Sequence, residues 1–316
     1  MERPWTQPQI AVIIPCLNEV RTIGKVVEGF AKVLPDADIF VYDNGSSDGT
    51  IQIAKSLNVQ LRHVSARGKG NVVRSAFADV EADIYLLVDG DNTYDPAVAP
   101  ELISLITDSQ CDLVTGCRIR SDFDSSARRG HLVGNRCFTR LVQVLFRTPT
   151  HDVLSGYRVM TRRFVKSFPT FSNGFEIEVQ IAAHASMLRV KEASINSLYK
   201  ERSDSNSKLR TFTDGRRILI SILRLYRSAE PSRFFGSLSF ICCAMAAALR
   251  WQIAADAYES AFWFFMLIAV LLFTIGITLN GISRIQKQNV RLAFLQIPLE
   301  VKKQEPNHQS EFGLRK

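Results

Sequence analysis

No Cys-x-x-Cys pair occurs in this chain, and no cluster of cysteine and histidine has the spacing a zinc ion requires. Cys16, Cys111, Cys117, Cys137, Cys242 and Cys243 are therefore expected as reduced, mostly buried thiols in a cytosolic compartment. Met1 to Gln9 is polar, carries two prolines and has no apolar h-region, so no signal peptide is expected. The N-terminal domain should accordingly stay on the cytoplasmic side. Internal repeats and low-complexity tracts are also missing. Basic residues are not interleaved with aromatic ones as in nucleic-acid binders, so no nucleic-acid partner is expected.

The 316 residues are 46% hydrophobic, enough for one large domain with a real core and a smaller appendage. Charged residues make up 22%, near the globular average, which argues against wholesale disorder. A net charge of +8 suits anionic partners such as phosphorylated substrates or lipid headgroups, without choosing among them.

Short apolar runs rich in β-branched residues read as buried parallel strands. Such runs occur at Ile10 to Pro15, Ile39 to Tyr42, Val59 to Val64 and Ile84 to Val88. Between them lie segments with helical spacing: Thr22 to Leu34, Ile51 to Leu57, and a helix opened by the glycine-basic turn Arg67 to Gly70 and continuing to Val80. This alternation predicts an open, mostly parallel α/β sheet. Ligands of such sheets sit beyond the C-terminal strand ends, where Pro15, Asp43 and Asp89 fall. After a short strand at Leu113 to Thr115 the pattern loosens. Arg118 to Arg136 reads as a long functional loop, Phe138 to Phe146 and Asn173 to Met187 as helices, and Val190 to Ser197 as a strand.

Thr211 to Tyr226 mixes Arg216, Arg217 and Arg224 with Phe212, Ile218, Leu219, Ile222 and Leu225, the pattern of an interfacial amphipathic helix. Two uncharged apolar stretches follow, Phe234 to Leu249 and Ser260 to Ser283. The second is long enough to span a bilayer, and the first becomes so if it continues past Arg250 with that side chain snorkelling. Arg224, Arg227 and Arg233 before them, and Arg284, Lys287 and Arg291 after them, place both ends in the cytoplasm. The tail after Gln288 reads as polar, basic and partly disordered.

Three segments carry the chemistry. Asp89-Gly90-Asp91 leaves the end of a strand, so both carboxylates can face one hard divalent ion, Mg²⁺ or Mn²⁺, shared with substrate phosphates. Asp43 stands at another strand end, placed to accept a bond from a base N–H or a ribose hydroxyl, while Asp48 or Thr50 can cap the next helix. Pro15-Cys16-Leu17-Asn18-Glu19 leaves the first strand beside Asp43. Asn18 and Glu19 there suit either a helix cap or a ligand contact.

Together IPCLNE, DNGSSDGT and VDGD resemble the signature elements of glycosyltransferase family 2, over roughly residues 10 to 230. Asn44 departs from that pattern, which often has a second Asp there. The resemblance implies a GT-A nucleotide-sugar-binding fold, a UDP- or GDP-sugar donor with UDP preferred, and a Mg²⁺ or Mn²⁺ cofactor. It implies donor contacts from Pro15, Asn18, Glu19, Asp43, Lys69, Asp89 and Gly90, and metal ligation by Asp89 and Asp91.

Four later elements look like the polyprenyl-phosphate sugar synthase branch, relatives of dolichol-phosphate mannose synthase. These are Arg67-Gly68-Lys69-Gly70, Thr115-Gly116-Cys117-Arg118, the run His151 to Arg158 (HDVLSGYR), and Arg202 to Leu209 (RSDSNSKL). Cys117 stands where that branch commonly has Ser. This second resemblance implies that Arg118, Arg202 and Lys208 hold donor and lipid phosphates, and that Arg128 or Arg129 with Asn135 serve the acceptor loop. Asp91, Asp152, Arg118, Arg202 and Lys208 are then the candidate catalytic set, with Asp152 as base or orienting group. Glu176 is a candidate for reaching sugar hydroxyls, with a structural role for both Glu176 and Glu178 equally open.

The implied organisation is a cytoplasmic catalytic domain over 1–210, a juxtamembrane helix over 211–230, two transmembrane helices over 231–283 and a basic cytoplasmic tail over 284–316. Such a protein would be a multi-pass cell-membrane enzyme moving a sugar to a polyprenyl phosphate, possible also as a homo-oligomer. Two alternatives stay open: a family 2 transferase acting on a glycan or another lipid, and a non-catalytic membrane-anchored scaffold.

Overall fold

The computed structural model describes residues 8–119, 126–169, 176–200, 211–252 and 259–299. The order begins with β1 (Ile10–Cys16), α1 (Ile23–Val33), β2 (Asp38–Asp43), α2 (Thr50–Ser56), β3 (Gln60–His63), α3 (Lys69–Asp79) and β4 (Ile84–Leu87). It continues with α4 (Ala99–Thr107), β5 (Leu113–Ile119), α5 (Ser126–Phe146), β6 (Arg158–Thr161), α6 (Arg162–Lys166), α7 (Ile177–Leu188) and β7 (Glu192–Leu198). Three long helices close it: α8 (Thr211–Ala229), α9 (Pro231–Gln252) and α10 (Glu259–Gln296).

The seven strands form one sheet in the order β3-β2-β1-β4-β6-β5-β7. β1 pairs in parallel with β2 and β4, β2 with β3, and β5 with β7; β6 runs antiparallel to both β4 and β5. The sheet is thus mostly parallel, as the alternation predicts. β6 was not legible because it is four residues long and opens on Arg158, a charge in a fully buried position.

Strand side chains alternate between faces with a period of two, and both faces are covered. Val12, Ile14, Val41 and Leu86 pack with Ile23, Val26 and Phe30 of α1 and Leu102 and Ile106 of α4. Ala11, Ile13, Tyr85 and Leu87 pack on the opposite face with Val73, Ala76 and Phe77 of α3 and Phe164 of α6. Each fully buried Ile or Leu here contributes about 1.5–3 kcal/mol. This double cladding fixes where the strand ends, and therefore the loops that leave them, can lie.

A third core joins α5, α7 and α8 through Val142, Phe146, Val179, Ala182, Ile218 and Ile222. Much of the segment expected as a loop, Arg118 to Arg136, is therefore helical from Ser126 onward. Gly130 and Gly134 lower its helix propensity, but Leu141, Val142, Leu145 and Phe146 continue the helical stripe that buries it. In α8, Ile218 and Ile222 face the domain while Leu219, Ile220 and Leu223 are exposed. It is packed on one side and presents apolar side chains on another.

α9 and α10 pack along each other; Ser239 Oγ donates to the Ala269 carbonyl at 2.7 Å. Both are long and apolar enough to cross a membrane, over Pro231–Arg250 and Glu259–Gln296. Only 17% and 11% of their apolar windows are buried by the rest of the chain, unlike the core helix of a soluble protein. α10 does not stop at Ser283, where the apolar run ends, but continues to Gln296. Its last turns dock on the domain: Lys287 pairs with Glu230 at 2.8 Å, Phe294 is buried among the α3 and α6 side chains, and the Arg163 guanidinium lies 4.6 Å from the Phe294 ring centre. The tail expected to be loose is helical over this part because Val290 and Phe294 find that apolar seat.

Candidate active site at the C-terminal strand ends

Two loops leave the adjacent parallel strands β1 and β2 and are stitched together. The Asn18 amide donates to Ser46 Oγ at 2.9 Å, and the Ser47 amide donates to Asn18 Oδ1 at 2.9 Å. Asn18 is left-handed, with φ 53°, a conformation Asn tolerates better than most residues. The Glu19 amide donates to Thr50 Oγ1 at 2.8 Å. Asp48 receives the Val20 and Thr50 amides, both at 3.1 Å, so it braces the two loops just ahead of α2, whose N-cap is Gly49. Pro15 is buried and sits beside Gly90: a Cβ on Gly90 would lie 3.3 Å from the Pro15 carbonyl.

Asp43 is 1% exposed. Its carboxylate accepts the Gly45 amide at 2.9 Å and the Ser46 amide at 3.2 Å, and His63 Nδ1 lies 3.2 Å away. Burial opposes its charge, but bonds from Ser46, Gly45 and His63 outweigh it and hold the carboxyl below the usual range. Asn44 explains its own departure from the family pattern. Its amide donates to the Val64 and Ala66 carbonyls at 2.9 and 2.8 Å and accepts the Gly68 amide at 2.7 Å. A carboxylate could not make the first two bonds.

Asp89 and Asp91 leave β4 on the neighbouring strand. Thr22 Oγ1 donates to the Gly90 carbonyl at 2.8 Å, tying this turn to the start of α1. Thr93 donates to Asp91 Oδ1 through its hydroxyl at 2.6 Å and its amide at 3.3 Å. Lys69, the first residue of α3, places Nζ 2.5 Å from Asp89 Oδ1 and 2.5 Å from Glu178 Oε1 of α7. Burial works against the ammonium, but the two carboxylates raise its pKa; Glu178 is raised too, chiefly by burial. Gly156 passes directly against the Asp89 carboxylate, where any Cβ would collide.

At the end of β5, Arg118 clasps Asp152 in a bidentate pair, Nε to Oδ2 and Nη2 to Oδ1, each 2.7 Å. Asn135 Nδ2 donates to the same Oδ1 at 3.2 Å. Burial disfavours the Asp152 charge, but the Arg118 bonds and charge hold the carboxyl below the usual range. A carboxylate so held is a poor base at neutral pH, and its two bonds fix the plane of the Arg118 guanidinium. The Arg118 guanidinium also lies 5.5 Å from the Tyr199 ring centre. Tyr199 in turn bridges to Tyr94, just after Asp91, which brings the Arg118 cluster alongside the acidic turn.

The sequence-derived residues thus fall into three adjoining groups: Pro15, Asn18, Glu19 and Asp43; Lys69, Asp89, Gly90 and Asp91; and Arg118, Asn135 and Asp152. Arg128 and Arg129 lie in the first turn of α5, with side chains outside the described ones. Arg202 and Lys208 lie outside the described residues altogether. Glu176 precedes α7, and it is Glu178 that reaches into the site. No local pattern in the sequence marks the Lys69–Glu178 contact or Arg158 as a brace. Arg158 is fully buried and donates to the Val153 carbonyl at 2.6 Å and the Ser155 carbonyl at 3.1 Å, shaping the loop that presents Asp152 and Gly156.

Among the described residues no group of three or more His, Cys, Asp or Glu side chains could hold a metal ion by itself. A partly exposed Asp89 carboxylate with Asp91 two residues on fits instead a hard ion that completes its shell from substrate phosphates and water. A mostly parallel sheet with one reversed strand, and two carboxylates leaving its central β4, is the arrangement of a GT-A-like α/β fold.

The chain belongs to glycosyl transferase family 2, whose profile matches residues 11–168. Glycosyltransferase AglJ of Haloferax volcanii is 31% identical over 258 residues, covering 79% of this chain and 83% of that protein. A dolichyl-phosphate hexose transferase of the same organism is 27% identical, over 70% of this chain and 95% of its own length. The polyprenyl-phosphate branch expected from the later motifs is thereby borne out. The fold is shared with glucosyl-3-phosphoglycerate synthase of Mycobacterium tuberculosis, solved with Mn²⁺, UDP and glucosyl-3-phosphoglycerate. That structure superposes with a TM-score of 0.55 at 20% identity, covering 71% of this chain and 86% of that one.

Proposed function

We propose that the protein is an inverting hexosyltransferase that moves a sugar from a nucleotide sugar, with UDP preferred, to a polyprenyl phosphate at the cytoplasmic membrane face. The observation that carries this reading is the convergence of Asp43, Asp89 and Asp91 at the same end of β2 and β4, the two strands that flank β1, with the Arg118–Asp152 cluster alongside.

The braced β1 and β2 loops clasp the nucleoside, with Pro15, Asn18, Glu19 and Asp43 lining its seat. Asp89 and Asp91 would hold Mg²⁺ or Mn²⁺, which would supply charge neutralisation to the departing diphosphate. Arg118, fixed by Asp152 and Asn135, presents a guanidinium to the incoming phosphate; by the motif resemblance Arg128, Arg129, Arg202 and Lys208 are further phosphate-binding candidates. A lipid phosphate is anionic at pH 7, so it needs placement and neutralisation more than a base. Its oxygen forms the new bond to the anomeric carbon while the bond to the nucleoside diphosphate breaks, the electron pair leaving with the diphosphate and the anomeric configuration inverting. α9 and α10 cross the membrane as a hairpin with the catalytic domain in the cytoplasm, and α8 lays its exposed Leu219, Ile220 and Leu223 at the interface.

Purified full-length protein in detergent, given undecaprenyl or dolichyl phosphate, Mn²⁺ or Mg²⁺ and radiolabelled UDP- or GDP-sugars, tests this. Label should enter the organic phase with at least one donor and disappear with EDTA. Nucleotide binding without lipid labelling would overturn the acceptor assignment, and absence of nucleotide binding would favour a scaffold.

A further inference from the structure

Among the described residues of this region, Glu178 is the carboxylate that comes from the far half of the chain. It stands on the first turn of α7, its side chain 6% exposed, and reaches Lys69 from a distance of 109 residues in sequence. Lys69 is itself 9% exposed and makes two carboxylate contacts of equal length, one to Glu178 and one to Asp89. One positive charge is therefore shared by two negative ones, and one of those is a metal-binding candidate.

The arrangement is expensive as a purely structural device. Glu178 Oε2 is buried and has no hydrogen-bond partner, and neither has Nη1 of the fully buried Arg158. Buried charges left incompletely bonded cost stability, and an apolar replacement of the same volume is often no worse. α3 and α7 already meet through apolar side chains, with Val73 and Ala76 of the one and Ile177 and Ile181 of the other in a common core. Packing alone thus gives no reason for a carboxylate here. What Glu178 adds is a second anchor for the ammonium that faces Asp89.

We propose that Glu178 is a positioning residue of the transfer site: it takes a share of the Lys69 charge and so leaves Asp89 able to bind a divalent ion. This rests on the reading of Asp89 as a metal ligand. An ammonium with a single carboxylate partner ties that partner up in an ion pair, and a cation seeking the same oxygen must displace it. With Glu178 in place the ammonium keeps a counter-charge when Asp89 turns to the metal. Glu178 acts through Lys69.

The consequence is a pair of opposite effects that a merely structural residue would not produce. Glu178→Gln keeps the shape and removes the charge, so Lys69 falls to Asp89 alone and divalent-ion binding should weaken roughly tenfold. Removing both charges together, in Lys69→Met/Glu178→Gln, deletes the competitor, so binding should return to or exceed the wild-type strength.

The readout is Mn²⁺ alone, titrated into the full-length protein in detergent and followed by the electron paramagnetic resonance signal of the free ion, with no substrate and no turnover. Asp89→Asn is the reference variant. Loss of binding in Asp89→Asn, weakening in Glu178→Gln and recovery in the double variant support the proposal. Wild-type binding that Asp89→Asn leaves unchanged would overturn the metal reading and the proposal with it. Binding that depends on Asp89 but is equal in wild type and Glu178→Gln would overturn the proposal alone. Should Glu178→Gln fail to fold, the double variant decides: Mn²⁺ binding weaker than wild type would overturn the role assigned to Glu178.

Discussion

The two halves of the sheet build their share of the site in different ways. From β1 to β4 most of the bonds to Asp43, Asp48 and Asp91 come from their own turns, Gly45 and Ser46, Thr50, and Thr93, while His63 and Val20 reach in from the adjoining loops. Beyond β4 the partners are remote. Arg118 meets Asp152 across 34 residues, and the Gly156 amide reaches Tyr94 Oη across 62. The first half is a set of local turns on a parallel scaffold, which tolerates change around it. The second is a web whose members depend on the whole chain being folded. Ligand binding and catalysis should therefore be lost separately from stability in the first half, and together with it in the second.

The sharpest break of that contrast is Asp91→Asn. Its carboxylate is locally held, so the variant should melt close to wild type yet lose on the order of 10³-fold in transfer rate, as removal of a charge-stabilising group does. Lipid labelling and a thermal melt on one preparation check both halves of the statement. Near-wild-type labelling would remove Asp91 from the site.

Next in size is Asp152→Asn, which leaves the Arg118 guanidinium without its counter-charge. Breaking a largely buried pair costs about 3–5 kcal/mol, so the melting temperature should fall clearly along with activity. The pH dependence follows from the sign of the Asp152 shift. Its carboxyl is lowered from the ordinary 3.8 in the folded state, so the pair's contribution is complete above pH 3.8 and is lost as pH falls below it towards the folded value. Melts between pH 6 and pH 3 should show that loss in wild type and a flatter profile in Asp152→Asn.

Smallest is Asn44→Asp, which restores the residue common in the family. It removes two donors from the Val64 and Ala66 carbonyls and should cost about 1–3 kcal/mol with little effect on the rate at saturating donor. A stabilised variant would contradict the role given to the Asn44 amide.

The same contrast governs what the sequence discloses. Ile10–Cys16, Asp38–Asp43 and Ile84–Leu87 read as strands because each is an apolar run clad on both faces, and their carboxylates were legible because they sit at the ends of those runs. β6 and the early turns of α5 were not legible. Their places are set by contacts with distant elements, Arg158 in a buried strand and Leu141 to Phe146 against α7 and α8, rather than by local pattern. Glu178 was visible as a carboxylate on a helix, but nothing local distinguishes a glutamate that meets a lysine 109 residues away from one that meets water.

α10 holds together parts of the molecule that a looser chain would leave to drift. Thirty-eight residues of unbroken helix are roughly 57 Å long, and the last turns are seated on the domain by Phe294. Such a rod behaves as a screw thread: each residue added or removed shifts its far end by about 1.5 Å and turns it by about 100° at once. Reach and azimuth are therefore not independent variables in this protein. A change in the apolar part of α10 is felt at α6 as a rotation, and only changes near whole numbers of turns leave Phe294 facing its seat.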